Sequence, residues 1–276
     1  MTLFKMLLFS SPSEHIIRGI MSSTSAVVRI LKSSEGFVSG EKMAEELGVS
    51  RASIWKSINS LRKAGFSVSA STNRGYRLVS VPDTPSAEVM LSLLNTSVFG
   101  RSIEYHPVIA STNDRAMELG AQGAACGTVV TADRQTAGRA RRGGVWASPS
   151  GKNLYLSIVV RPDVSLARTE EVADLAVNAL GLAAGRFFPD IRFSRSDRGL
   201  FFHEKKLGGV LCEACGEIDI VHHMAVGIGL NVSHSKVDSQ STSLFLITGE
   251  MPSRAELTVA VLEEFEKNYL KWRCNE

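Results

Sequence analysis

Leu47-Gly48-Val49-Ser50-Arg51-Ala52-Ser53-Ile54-Trp55-Lys56-Ser57-Ile58 decides how the N-terminal part folds. Gly48 can take the left-handed conformation that ends a helix, and Ser50 can cap the next one by accepting a backbone N–H bond. Apolar residues recur at helical spacing on both sides: Val27, Val28, Ile30 and Leu31, then Met43, Ala44 and Leu47, then Ile54, Ile58 and Leu61. Two helices joined by a short glycine-containing turn form a helix-turn-helix, whose second helix is expected from Arg51 to about Ala64. Downstream, Phe66-Ser67-Val68-Ser69 alternates, Asn73-Arg74-Gly75 turns and Tyr76-Arg77-Leu78-Val79 returns, which makes a winged variant with Arg74 at the wing tip.

Charge agrees with this reading. Residues 22–80 hold nine Lys/Arg against four Asp/Glu, whereas residues 81–276 hold twenty against twenty-three, so only the first part is suited to a polyanion. A recognition helix offers its N-terminal residues to base edges and phosphates. Arg51, Ser53, Lys56 and Ser57 occupy those positions and, with Arg74, are the candidate DNA contacts. A helical interaction module with a solvated basic face is the alternative. Trp55 is expected in the core, or as a partial wedge under the helix.

Outward from the wing, Val81-Pro82-Asp83-Thr84-Pro85-Ser86 reads as a linker. The expected division is an extension over 1–21 (with Met21 an equally good start), a winged helix-turn-helix over 22–80, a linker over 81–86 and a larger domain over 87–276. With 276 residues, 44% hydrophobic and 21% charged, the chain can bury two ordinary cores without disulfide or metal. Its four cysteines make no secreted framework, no apolar run reaches membrane-spanning length, and the first residues lack a cleavage site. A cytoplasmic location is expected.

In the larger domain, strands are expected at 127–134, 154–161, 191–193, 210–214 and 220–228, and helices at 86–97, 112–121, 167–187 and 254–272. This order implies an α/β domain with a mixed, α+β-type sheet. Walker, dinucleotide, nucleophile-elbow and zinc-protease motifs are missing. Cys212 and Cys215 fall in a strand pattern on opposite faces, which argues against redox or metal chemistry; His222 and His223 likewise point apart and are expected to be exposed or capping. Asp133–Gly144 carries Arg139, Arg141 and Arg142 in a glycine-bounded segment after a strand, able to offer N–H groups and guanidinium forks to phosphate. From the loop alone, a basic surface patch or a second nucleic-acid contact fits equally well.

Five motifs add context: Ser111-Thr112-Asn113; the Gln135–Gly143 loop; Trp146-x-Ser148-Pro149-x-Gly151-x-Asn153-Leu154-Tyr155; Lys206-Leu207-Gly208-Gly209-Val210-Leu211; and Gly227-Ile228-Gly229-Leu230-Asn231. In this order they resemble the motifs of biotin protein ligases. With the helix-turn-helix in front, the chain resembles, over about residues 25 to 272, the bifunctional form that is also the biotin operon repressor. The resemblance implies that biotin and ATP, with Mg2+, give biotinyl-5'-AMP and pyrophosphate, and that the biotinyl group then passes to a lysine of a carboxylase's biotin carboxyl carrier domain. It also implies operator DNA as a partner and a homodimer on that DNA. Such chemistry needs orientation and positive charge, not a protein nucleophile.

The resemblance assigns Ser111, Thr112, Asn113 and Gln135 to biotin, and Gly138, Arg139, Ala140 and Arg141 to a loop that closes over the adenylate. It gives Arg139, Arg141 and Lys206 the catalytic charges. Gly208 and Gly209 let a strand approach biotin, and Asn231 completes the ligand-binding set; no metal ligand is identified. Without the resemblance, Lys206 reads as one of two adjacent solvated lysines. Three departures stand out. Ala140 replaces a glycine of the family loop, which puts loop closure in doubt. Arg192-Phe193-Ser194-Arg195-Ser196-Asp197 replaces a Lys-Trp-Pro-Asn-Asp segment, with about two extra residues before Lys206. The SH3-like barrel that follows the last helix in repressor-type members has no counterpart up to Glu276, so it is expected to be absent. Biotin recognition is therefore expected to survive better than ATP handling and transfer. Rival readings are a biotin-sensing repressor with weak or no ligase activity, favoured by the altered segment, and a lipoate-type acyl ligase, disfavoured by the helix-turn-helix.

Overall fold

The computed structural model describes residues 23–274; the expected extension over 1–21 lies outside the described residues. Three helices, α1 (Ser23–Lys32), α2 (Gly40–Leu47) and α3 (Arg51–Lys63), precede a hairpin of β1 (Ser67–Ser71) and β2 (Gly75–Ser80). Gly48 sits at φ +65°, and the Ser50 hydroxyl accepts the Ser53 N–H at 3.2 Å, so the turn forms for the reasons its sequence gives. Val27, Met43, Ile54, Ile58 and Leu61 close the core of this unit. The wing is tied back by the Val38 N–H to Tyr76 C=O bond at 2.8 Å and its reciprocal at 2.9 Å.

Two expectations for α3 are corrected. Trp55 is 57% exposed: Ile54 and Ile58 take the inward face, and the neighbouring position points about 100° away from it. Ser57 is buried, its hydroxyl 3.1 Å from that of Ser23, and presents nothing to a groove.

The larger unit contains α4 (Ala87–Leu93), β3 (Ile103–His106), α5 (Thr112–Ala121), β4 (Val129–Ala132), β5 (Asn153–Val160), α6 (Thr169–Phe187), β6 (Ser194–Ser196), β7 (Gly199–Phe202), β8 (Lys205–Gly216), β9 (Val221–Asn231), α7 (Leu244–Thr248) and α8 (Arg254–Cys274). The sheet runs β3-β4-β5-β9-β8-β7-β6, with β3 and β4 parallel and every other pair antiparallel. Strand alternation splits β5 between two layers. Leu154, Leu156, Ile158 and Val160 pack with α6 and α8, whereas Val159 meets Ala116 of α5 on the other face. The strand expected at 191–193 is found instead at β6: Ile191 and Phe193 pack against the core outside the ladder, and pairing begins at Ser194↔Phe201. The pattern also passed over β3, β7 and α7. His222 is exposed as expected, but His223 is buried against Gly120 of α5.

The two units share packing. Val89 of α4 and Ala255 of α8 belong to the helix-turn-helix core, and Lys32 pairs with Glu256 at 2.5 Å. Arg254 is 4% exposed and bridges Asp83 of the expected linker (2.6 Å) and Asp133 at the end of β4 (2.7 Å).

Candidate functional site

The β4–β5 connection, the N-terminus of α5 and the glycine-rich stretches of β8 and β9 meet around a cleft that opens to solvent. At one end the Ser111 hydroxyl caps α5, accepting the Asp114 N–H at 3.3 Å. Gln135 Oε1 accepts from the Thr112 N–H (2.8 Å) and hydroxyl (3.1 Å), and its Nε2 donates to Ser148 Oγ (3.0 Å). Ser157 Oγ stands 2.9 Å from Thr112 Oγ1 and 3.2 Å from Asn113 Oδ1. This end is a continuous hydrogen-bonded wall of polar groups, in which Ser111, Thr112, Asn113, Ser148 and Ser157 are buried and Gln135 is half-buried.

Two close approaches make the wall. A methyl group at Gly227 would lie 2.5 Å from Asn113 Oδ1, and one at Gly229 would lie 2.5 Å from the Trp146 indole, so β9 must be bare at both positions. Trp146 Nε1 is buried with no hydrogen-bond partner among the described residues, a donor without an acceptor.

The other end is cationic. Lys206 Nζ lies 5.7 Å from the centre of the Trp146 ring. Burial, and next the charge of Arg141, push its ammonium below the ordinary lysine range, against the pull of Asp197. Arg141 Nη1 donates to the Asp197 backbone oxygen and carboxylate, both at 2.6 Å. Asp197 and Arg198 form the β6–β7 turn at φ +44° and +55°, the paired positive angles that suit a two-residue hairpin. The altered 192–197 segment thus delivers its carboxylate to the loop arginines, with Arg142 Nη2 a further 3.6 Å contact.

Ser111, Thr112, Asn113, Gln135, Arg139, Ala140, Arg141, Lys206 and Gly209 line this cleft, as do Trp146, Tyr155, Ser157, Gly227 and Gly229. Three candidates do not. Gly208 points the other way along β8, toward Leu180 and Leu230, since adjacent strand residues face opposite sides. Gly138 supports the loop from behind, where a side chain would meet Ser148 Oγ at 2.6 Å. Asn231 is buried in a tie to Asn153 (3.1 Å) and to the Thr242 carbonyl (3.0 Å) that closes the end of β5 and β9. In this loop Ala140 sits at φ −118°, and the positive angles fall on Arg142 (+56°) and Gly143 (+74°).

Arg139 lies on the cleft wall but turns its fork to Glu213 of β8, at 2.6 and 2.5 Å, and to Asp114. Asn113 Nδ2 donates to the same Glu213 carboxylate. Burial opposes ionisation of Glu213, yet Arg139 and Asn113 together hold its carboxyl below the usual range. Glu213 escaped sequence reasoning because its partners lie 74 and 100 residues away.

On the helix-turn-helix, Arg51, Lys56 and Arg74 are exposed, and Ser53 is half-buried, its hydroxyl 3.0 Å from that of Ser50. Arg74 stacks 4.5 Å above the Phe37 ring. Trp55, Arg51 and the wing residues Ser71, Thr72 and Asn73 share one groove.

Comparison with known proteins gives two matching family profiles, an HTH domain over residues 24–77 and the Biotin/lipoate A/B protein ligase family over residues 105–231. The bifunctional ligase/repressor of Bacillus subtilis (strain 168) is 37% identical over 243 residues, spanning 84% of this chain and 74% of its own. That of Escherichia coli (strain K12) is 33% identical over 234 residues, spanning 80% and 67%. Among solved structures, the biotin protein ligase from Aquifex aeolicus in complex with biotin and ATP matches with a TM-score of 0.55 and 28% identity, covering 64% of this chain and 73% of that one.

Proposed function

This chain belongs to the biotin protein ligase family, in its bifunctional ligase/repressor form, and we propose that the cleft beneath Trp146 is where it joins biotin to ATP. The chain is a biotin–protein ligase that also binds DNA through its helix-turn-helix. In the first step the biotin carboxylate attacks the α-phosphorus of ATP and pyrophosphate leaves. In the second, a carrier lysine amine attacks the acyl carbon of the mixed anhydride, AMP leaves, and the amine proton passes to solvent.

One observation supports this site: a hydrogen-bonded polar wall at one end of the cleft faces two cations, Arg141 and Lys206, at the other. The wall of Thr112, Asn113, Gln135 and Ser157 suits the ureido ring of biotin, which has two donors and one acceptor, and the unpaired Trp146 Nε1 adds a donor. Arg141 and Lys206 suit the phosphate, where fixed positive charge in a partly dry site stabilises developing negative charge. Mg2+ comes to this site with ATP as part of the substrate. Asp197 is a carboxylate beside the phosphate end but is already paired with Arg141, and among the described residues no cluster of three His, Cys, Asp or Glu could hold the ion alone.

We assign residues 22–80 to operator binding, 81–86 to a linker and 87–276 to the ligase. Two copies on operator DNA suit a helix-turn-helix reading two half-sites, and free thiols at Cys126, Cys212, Cys215 and Cys274 suit the cytoplasm. Incubation with biotin, Mg-ATP and a biotin carboxyl carrier domain, followed by intact mass of the carrier, tests the ligase. The pairing of Asp197 with Arg141 favours, as a second reading, a biotin-sensing repressor with weak transfer. Biotin binding by calorimetry with an unmodified carrier would select it.

A further inference from the structure

We propose that Glu213 is a positioning residue for the biotin end of the cleft, and that Arg139 is committed to Glu213 instead of to phosphate. The inference rests on the ligase reading and adds to it a division of labour among the loop arginines. Glu213 does not line the cleft; it stands behind Asn113 and receives three donors, both Nη groups of Arg139 and Nδ2 of Asn113.

An ionised carboxylate can only accept hydrogen bonds. Asn113 must therefore present its NH2 to Glu213, which turns its Oδ1 toward Ser157 and the bare backbone of Gly227. Ser157 in turn meets Thr112, and Thr112 meets Gln135. The orientation of one amide, fixed from behind, thus sets the donor and acceptor order along the whole polar wall.

Charge leads to the same division. Arg139 with Glu213 and Asp114 forms a cluster of net charge −1, which repels phosphate. Its fork is used bidentately by Glu213, the geometry in which guanidinium and carboxylate bind most firmly. Arg141 has a single carboxylate partner, Asp197, which is 58% exposed, and it sits beside Lys206. Phosphate can displace that partner far more easily.

Steady-state kinetics with varied biotin and varied ATP separate the roles. Glu213→Gln and Arg139→Ala should each raise the KM for biotin about tenfold, the loss expected for one charged hydrogen bond, and should leave the KM for ATP within about twofold. The double variant should resemble either single one, as expected for residues acting as a unit. Arg139→Lys keeps the charge and loses the fork, so its biotin KM should fall between that of the unaltered chain and that of Arg139→Ala. Arg141→Ala should raise the KM for ATP instead. An Arg139→Ala chain that loses ATP as Arg141→Ala does, or a Glu213→Gln chain with unchanged biotin KM, overturns the proposal. Calorimetry of biotin alone on the unaltered chain and on Glu213→Gln reads the same role without turnover, so failure of the ligase reading and failure of this one remain distinguishable.

Discussion

Lys206 is useful to an anion only while it is charged, and burial together with Arg141 lowers the pH at which that charge is lost. In the proposed site the protonated form is the one that holds the adenylate, so retention should be full below the Lys206 pKa and decline as pH rises through it, earlier than for an ordinary lysine. Biotinyl-adenylate dissociation rates measured across alkaline pH should show this. Lys206→Arg, which stays charged, should carry retention to higher pH, and Arg141→Ala should speed dissociation at every pH. Trp55 behaves oppositely to a core residue: being 57% exposed, its replacement by Ala should shift unfolding free energy by no more than about 0.5 kcal/mol. Urea titration checks this. Ser111, Gln135 and Arg141 were legible only through the motifs that resemble the family's, and the structure brings the three to one cleft. Glu213 was not legible, because a strand pattern does not say what stands behind it, and Trp55 was placed by its apolar character although it lies about 100° from Ile54 on the helix.

At the scale of elements, α3 depends on its cap. Ser50→Ala removes the acceptor for the Ser53 N–H and should cost about 1 kcal/mol, while Ser50→Gly should cost only a few tenths; thermal unfolding of the two variants compares them directly. On DNA, exposed Lys56 should act on phosphate, and Lys56→Ala should reduce the log–log salt slope of binding by about one with little change in sequence preference. Where periodicity was strong the elements stood out, as for α5 at Thr112–Ala121 and α6 at Thr169–Phe187. Short elements whose identity comes from pairing did not: β3 is four residues long and half-buried, and β6 has three exposed residues and pairs in the sheet with β7 alone. The turn between β6 and β7 is why replacing the family segment leaves a carboxylate beside Arg141, an outcome that composition does not reveal.

Across the whole molecule, Arg254 joins the linker to the end of β4. Arg254 is buried, whereas Asp83 is 53% exposed and Asp133 keeps its bond from Ser150, so Arg254→Met should destabilise the chain by about 1.5 kcal/mol, read from the urea midpoint. Burial alone would raise the Asp133 carboxyl; Ser150 and Arg254 hold it below the ordinary range instead. Its contribution is therefore complete above the usual carboxylate pKa and is lost as pH falls through the lowered one, and Arg254→Met should flatten the acid limb of the stability profile.

The helix α8 starts beside one core and ends inside the other, with Ala255 among the helix-turn-helix residues and Phe265 and Tyr269 among those of the sheet. A protease that nicks the backbone between Val81 and Ser86 therefore cuts a strand of chain without releasing a fragment. Residues on either side of the nick should co-elute on gel filtration and separate only in denaturant, and the nicked protein should keep its grip on biotin.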